Sequence, residues 1–595
     1  MRLGLIFFLV TTLLFRREAL SVFSSHVIGG ASGDISIFLY IAQLIPEHGF
    51  FFPRWFDLPI MYPYGRVLAW SDNFLVPASL AFFFRQLGAG FVESVNLVNL
   101  LVTFLNGFIT FLYLRTKSSK VGSLWGGVMM QGLPFLALHL GHPQLQIVFI
   151  FPLALLLVNL KKGFLGGVLL GILLGFSFLY GVYLSYFLGL FLLFFIRKEH
   201  LLGLLLGGMA YLPVLLPYFE VSKAFSGRAL YEGFPFRAEP LSYISSSSVF
   251  YREILQFSHP EAQHFVGFVG SFALLLGIYL NLKIVGSLGL FFSLILIYLG
   301  GLWASLILPA LFVFGNEKRL TLAFLFFLAL SFGSDFDEIS LHSVASFILP
   351  GLDSLRAIGR AGIVVSFIGV VITSKLLPSR VFFVLLPLTI FELSTSKIAL
   401  EEFKVNNVKP DSEISLILPY SGEVNKDNKI SSWGEFAKLN GEAILEFPGK
   451  KLVNGYSGLQ GSFTEKFAGY FKNFPEPISG RAAKSIVGLK FIYTKESVLA
   501  PWLKLEGSVG SFNKYKILDV DFLGKGTLLA PPWQNELTIK WKAKNKCSVS
   551  INNQLVSLED EYIETKLKIS SKGVEPTQIP FNGDECDTIT IEETR

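Results

Sequence analysis

At 595 residues, the chain is 52% hydrophobic and only 16% charged, with a mean hydropathy of +0.56. Soluble domains carry about 25% charge, so most of this chain is predicted to lie in lipid, as a polytopic α-helical protein of an energised inner membrane. The net charge of +6 comes without clustered basic residues and interleaved aromatics, which excludes a nucleic-acid footprint and reads as positive-inside loop charge.

The first apolar run, Leu3–Phe15, has only Arg2 before it. Arg16, Arg17 and Glu18 follow where a small-residue cleavage site would belong, so a retained first helix is expected rather than a signal peptide. Predominantly apolar runs that reach or approach the roughly 20 residues of a crossing follow at 92–114, 121–140, 144–160, 164–180, 183–196, 201–219, 264–281, 285–300, 302–315, 320–333, 361–376 and 381–396. With 3–20 they make about 13 spans, Pro and Gly interruptions being tolerated where neighbouring helices satisfy the backbone. Phe74–Phe84 is read as too short to cross. The stretch 285–315 is split, since at 1.5 Å per residue its length of about 46 Å is too great for one crossing. With a cytoplasmic N-terminus, the basic turns at Arg115–Lys120, Lys161–Lys162, Arg197–Lys198, Lys283, Lys318–Arg319 and Lys375–Arg380 then share the cytoplasmic side.

Two domains are expected, because the long apolar runs end near Leu400: a transmembrane domain of 1–400 and a soluble extracytoplasmic domain of 401–595. The long connections, 21–91, 220–263 and 334–360, fall on the outer face with the His139–Gln144 turn, where function tends to collect. In the soluble domain, alternating patterns at Glu442–Phe447 and Leu537–Trp541 predict strands, and Asn454-Gly455 and Gly524-Lys525 predict hairpin turns. Segment 464–485 reads as helical, and the stretch from Asn535 as a small β-sandwich. Cys547 and Cys586 are either a disulfide or two buried thiols; neither has zinc-site spacing.

The first outer loop carries three candidate acids. Asp34, in Ser32-Gly33-Asp34-Ile35, comes soon after the first helix and is well placed to take a proton from, or orient, a hydroxyl. Asp57 and Asp72 flank the aromatic turn Tyr62-Pro63-Tyr64-Gly65. The bland reading of Asp57 and Asp72 is a cap or a solvated loop charge. Ionisable residues are nearly absent within the spans, which argues against a coupled transporter. Asn99 and Asn106 read as interhelical hydrogen-bond partners.

The order helix, Gly33-Asp34 with the aromatic segment Phe38–Tyr40, then Tyr62–Gly65, resembles the multi-pass bacterial glycosyltransferases of the GT-C fold, in the group of the protein mannosyltransferases and aminoarabinose transferases. Gly141-His142-Pro143-Gln144, Leu349–Gly362, Leu452–Phe463 and Ile486–Thr494 extend the likeness over most of the chain. The resemblance implies an inverting sugar transfer, on the outer face, from a polyprenyl-phosphate donor to a lipid, glycan or protein acceptor. Asp34 matches the family's catalytic acid. The commoner family form has two adjacent acids, so here Asp72 or Asp57 would have to serve as the second.

On this reading His142 and Gln144 meet a phosphate or a sugar hydroxyl. Arg356 and Arg360, four apart and on one face if that segment is helical, hold a lipid phosphate. Tyr40, Tyr62, Tyr64, Trp70 and Arg66 contact sugar. The plainer alternatives are a helix-end histidine, headgroup-anchoring arginines (also for Arg16-Arg17) and an interfacial aromatic belt. The sequence singles out no certain cofactor, and a divalent cation is left open. The rival from another class is a non-catalytic scaffold or polysaccharide-export accessory whose tail binds glycan or partner proteins.

Overall fold

The computed structural model describes residues 2–30, 33–48, 54–159, 163–192, 198–225, 235–246, 251–256, 258–281, 318–333, 341–349, 351–352, 354–395, 397–405, 413–425, 427, 429–456, 462–569 and 574–595. They form two compact units: a helical one of Met1–Gly30, Phe74–Leu212 and Phe225–Phe403, and a second of Ala31–Asn73, Pro213–Ala224 and Lys404–Arg595.

In the helical unit, three helices are long and apolar enough to cross a membrane: Phe91–Leu114, Lys120–Leu138 and Ile358–Leu376. The broken pair Glu199–Ala210 and Leu212–Phe225, whose second helix is counted almost wholly in the second unit, makes a fourth if taken as one span. The other described apolar runs form shorter helices, including Arg2–Phe15, Pro143–Val158, Gly163–Leu173 and Phe268–Gly277. Among the described residues, full-length spans are therefore fewer than the expected count of about 13. The reason is local: run 164–180 stops at Leu173 in a turn where the Gly175 N–H bonds Ile172 O, and run 201–219 breaks at Tyr211 ahead of Pro213. The split of 285–315 lies outside the described residues.

Polar side chains knit these helices, as apolar surroundings demand. Gln131 donates to Thr12 Oγ1 at 2.6 Å and to Phe8 O at 3.0 Å. Asn106 Oδ1 accepts the Phe149 N–H at 2.8 Å while its amide donates to Gln146 O. Arg16 does not anchor at a headgroup: it is buried and donates to Asn99 Oδ1 at 2.8 Å and Thr103 Oγ1 at 3.1 Å. Glu392 accepts the Phe268 and Val269 N–H groups and the Tyr251 hydroxyl, capping the helix Phe268–Asn281 from outside it.

The second unit has two parts. One is a four-stranded sheet in the order Ile414–Ile417, Leu489–Thr494, Phe512–Ile517, Leu503–Val509, parallel in its first pair and antiparallel after. The other is a sandwich. One sheet holds Gln554–Leu558, Cys547–Ile551, Thr577–Asn582 and Lys525–Ala530; the other holds Ile563–Lys568, Glu536–Ala543, Ile589–Thr594 and Val520–Phe522. Leu537, Ile539 and Trp541 alternate inward from one long strand into the common core, the period-2 pattern of sheet-on-sheet packing. A disulfide joins Cys547 to Cys586, with Cα atoms 5.4 Å apart.

Three expectations change here. Glu442–Phe447 is not a strand but the end of the helix Trp433–Glu446. Ser432 caps it by accepting the Glu435 N–H, and Phe436, Asn440, Ala443 and Ile444 bury one face at helical spacing. Gly524-Lys525 does turn, with Gly524 at φ +71, but it links strands of different sheets, so no hairpin forms. Asn454-Gly455 is no hairpin either, because the Asn454 side chain instead bonds both backbone groups of Ile417.

The division falls between Phe403 and Lys404, and two segments leave the 1–400 domain to join the C-terminal unit. Backbone hydrogen bonds explain the first of these. Met61 and Tyr62 N–H groups bond Asn454 O and Leu452 O, Leu452 N–H bonds Pro59 O, and Gly65 N–H bonds Val574 O.

Candidate functional site

In the second unit, the helix Asp34–His48 begins directly after Gly33, whose φ of +78 suits glycine. Asp34 occupies its first turn, where the helix dipole favours an anionic side chain. Farther along, Ile41, Leu44 and Ile45 share a face and wall a cleft of about 1020 Å³. The loop 55–66 and the turn Pro531–Gln534 line it too, together with Glu220, Ile414 and Lys451.

This cleft brings together Asp57, Tyr62, Tyr64 and Arg66. Arg66, held at φ +52, donates from Nη1 to Asp57 at 2.8 Å and from Nε to Glu220 at 2.8 Å, and its backbone N–H bonds Asp57 Oδ1 at 3.2 Å. Burial pushes the Asp57 carboxyl above the usual range, helped by Glu220, although Arg66 pulls the other way.

The two tyrosine hydroxyls are committed to structure. Tyr62 donates to Val487 O at 2.9 Å, and Tyr64 accepts the Phe463 N–H at 2.7 Å. Tyr40 and Trp70 are buried, so neither offers a face to a ligand. Asp72 is buried and, like Asp34, lies outside the cleft lining.

In the helical unit, His139 follows the helix Lys120–Leu138 and Arg360 lies in the first turn of Ile358–Leu376. Both meet one carboxylate: Arg360 Nε donates to Glu261 Oε2 at 2.7 Å, and His139 Nε2 lies 3.2 Å from the same oxygen. His142, partly exposed at the start of the turn Pro143–Leu145, has Nε2 4.0 Å from Glu261 Oε1. Gln144 is buried in that turn. Burial opposes ionisation of Glu261, but Arg360 and the His139 bond outweigh it and hold its carboxyl well below the usual range. Burial lowers the nearby His259, against the pull of Glu261.

Arg356 and Arg360 do not share a helical face. The 3₁₀ turn begins only at Ile358, so Arg360 turns to Glu261 while the exposed Arg356 lies 4.8 Å above the Phe236 ring. Among the described residues, no group of three or more His, Cys, Asp or Glu side chains is placed to hold a metal ion.

Glu220, Lys451, Glu261 and Trp533 went unread in the sequence. Glu261 had a signal, as the one acid in His259-Pro260-Glu261-Ala262-Gln263-His264. Trp533 had another, standing after Pro531-Pro532, a rigid turn that presents its next residue outward.

No family model matches the chain, and no curated protein does. Among solved structures, the chain is similar to the arabinofuranosyltransferase AftD from Mycobacteria, at TM-scores of 0.44 and 0.48 in two of its structures and 9% and 8% identity. The whole of this chain is covered, against 58% and 61% of those chains, so it spans about three fifths of their length. It is also similar to the oligosaccharyltransferase of Archaeoglobus fulgidus, at a TM-score of 0.38 and 11% identity, covering 99% of this chain and 94% of that one.

Proposed function

We propose that the protein is a membrane glycosyltransferase that takes a sugar from a polyprenyl-phosphate donor and passes it to an acceptor on the outer face. The observation that carries this reading is the cationic cluster on Glu261. His139, His142 and Arg360 surround a single carboxylate at the ends of two helices long enough to cross a membrane, with Arg356 exposed nearby. Arg356 and Arg360 set against Glu261 leave one positive charge in excess before any histidine takes a proton, and that suits the phosphate of a lipid held in the bilayer. Asp34, as the resemblance implies, takes the proton of the acceptor hydroxyl while that oxygen attacks the anomeric carbon opposite the departing lipid phosphate. The configuration is then inverted. The disulfide supports an extracytoplasmic place for the second unit.

The test is polyprenyl monophosphate binding to the purified protein in nanodiscs, read by native mass spectrometry. Wild type retains the lipid, and Arg356→Gln and His142→Gln each weaken retention by about tenfold, the scale of one lost charge-assisted contact. Equal retention by all three proteins would overturn the reading.

A further inference from the structure

The cleft of the second unit contains a surface that the cluster on Glu261 does not use. Trp533 sits in the turn Pro531–Gln534, closed by the Gln534 N–H bonding Pro531 O, and the residue is 56% exposed. The motif Tyr62–Gly65 props it from beneath. The Tyr62 ring meets the Trp533 ring edge-on at 6.3 Å, and Gly65 lies so close that a methyl group there would come within 3.2 Å of Pro532 and 3.5 Å of the indole. The chain therefore spends a glycine and two prolines on holding a large aromatic face open to solvent, where burial would ordinarily be favoured.

The charged groups of the cleft narrow the ligand. Its lining holds two acids, Asp57 and Glu220, and two bases, Arg66 and Lys451, so the formal charge balances. An anion would meet both carboxylates, and a fatty chain would strip water from the Asp57–Arg66–Glu220 triad with nothing to replace it. A neutral polyhydroxyl chain suffers neither penalty. Its rings present C–H faces to indole, and its hydroxyls both donate to carboxylates and accept from a guanidinium. At about 1020 Å³ the cleft stands at the top of the usual range for small-ligand sites, about 300–1000 Å³, which suits several linked rings better than one.

We propose that this cleft binds a neutral glycan chain, with Trp533 as the stacking platform and the Asp57–Arg66–Glu220 triad reading its hydroxyls. The site stands on these residues and needs no donor.

The experiment is calorimetry on the full-length protein in nanodiscs, without any lipid donor, against neutral tetra- to hexasaccharides of arabinan, mannan, galactan and glucan. Oligogalacturonate and polyprenyl monophosphate serve as comparators. At least one neutral series is expected to bind. Trp533→Ala should weaken it by about tenfold or more, Trp533→Phe should retain most of the affinity, and Glu220→Gln should weaken it several-fold. Since Trp533 is exposed, the alanine variant should keep its thermal midpoint. No binding by any neutral series, binding of the acidic oligosaccharide alone, or an unchanged affinity in Trp533→Ala would each overturn the proposal. Failure here leaves the lipid-phosphate measurement untouched, so the two readings fall separately.

Discussion

Arg360 Nε and His139 Nε2 converge on one oxygen of Glu261, at 2.7 Å and 3.2 Å. The carboxylate thus ties the end of one membrane-length helix to the start of another. Because its folded-state value lies well below the ordinary carboxylate range, the stability it contributes is present above the unfolded value, near 4.5, and is lost only as pH falls through the folded value. Stability from this group should therefore be flat from neutral pH down to about 5. Glu261→Gln strands Arg360 and should cost roughly 2–5 kcal/mol, while Glu261→Gln with Arg360→Gln should cost less than the two single changes summed. Thermal unfolding of the purified variants in detergent measures both; additive losses would show that the pair does not couple.

Asp34 offers a sharper functional test, because it occupies the first turn of its helix and lies outside the cleft lining. Complementing a deletion of the gene with Asp34→Asn should give wild-type membrane abundance and leave the deletion's cell-surface glycan change in place. A restored glycan profile would remove Asp34 from the chemistry and favour a scaffold.

Patterns that repeat along the chain were legible in the sequence. Leu537, Ile539 and Trp541 alternate as a half-buried strand must, and they lie in one; the predominantly apolar run 92–114 lies in the single helix Phe91–Leu114. What was hidden depended on distant partners. Glu442–Phe447 alternates locally, yet Ser432 and an apolar stripe begun upstream make it helical. Tyr62 and Tyr64 read as sugar platforms until Val487 and Phe463, some four hundred residues away in sequence, claim their hydroxyls. Arg356 and Arg360 have helical spacing but no regular helix between them. Glu261 shows its importance only once Arg360 and His139 are folded against it.

Gly163–Leu173 and Lys198–Ala210 pack through glycines spaced four apart on both helices. A methyl group on Gly167 would overlap His200 O, one on Gly203 would overlap Phe164 O, and one on Gly171 would come within 2.5 Å of the Gly208 N–H nitrogen. Backbones this close leave no room for side chains, the small-residue packing of membrane helices. Gly203→Val should separate the pair and lower the yield of folded protein. Gly208→Ala is the internal control: its methyl would meet nothing within 4 Å, and helix propensity should leave it neutral or up to about 1 kcal/mol more stable. Size-exclusion profiles and thermal midpoints in detergent separate the two, and equal behaviour would mean the contact is not limiting.

The disulfide between Cys547 and Cys586 closes a loop with a sequence separation of 39 residues across the core of the sandwich. Loop-closure entropy for that separation is about 4 kcal/mol at 25 °C, a large share of the stability of any domain. Cys547→Ser with Cys586→Ser should therefore lower the unfolding midpoint of the second unit sharply and leave the helical unit's transition in place. The same bond reports the compartment. If the second unit lies outside the cytoplasm, both thiols should resist alkylation in membranes from untreated cells and become reactive only after reduction and unfolding. Full alkylation without reductant would place these cysteines in a reducing compartment and reverse the expected orientation of the chain.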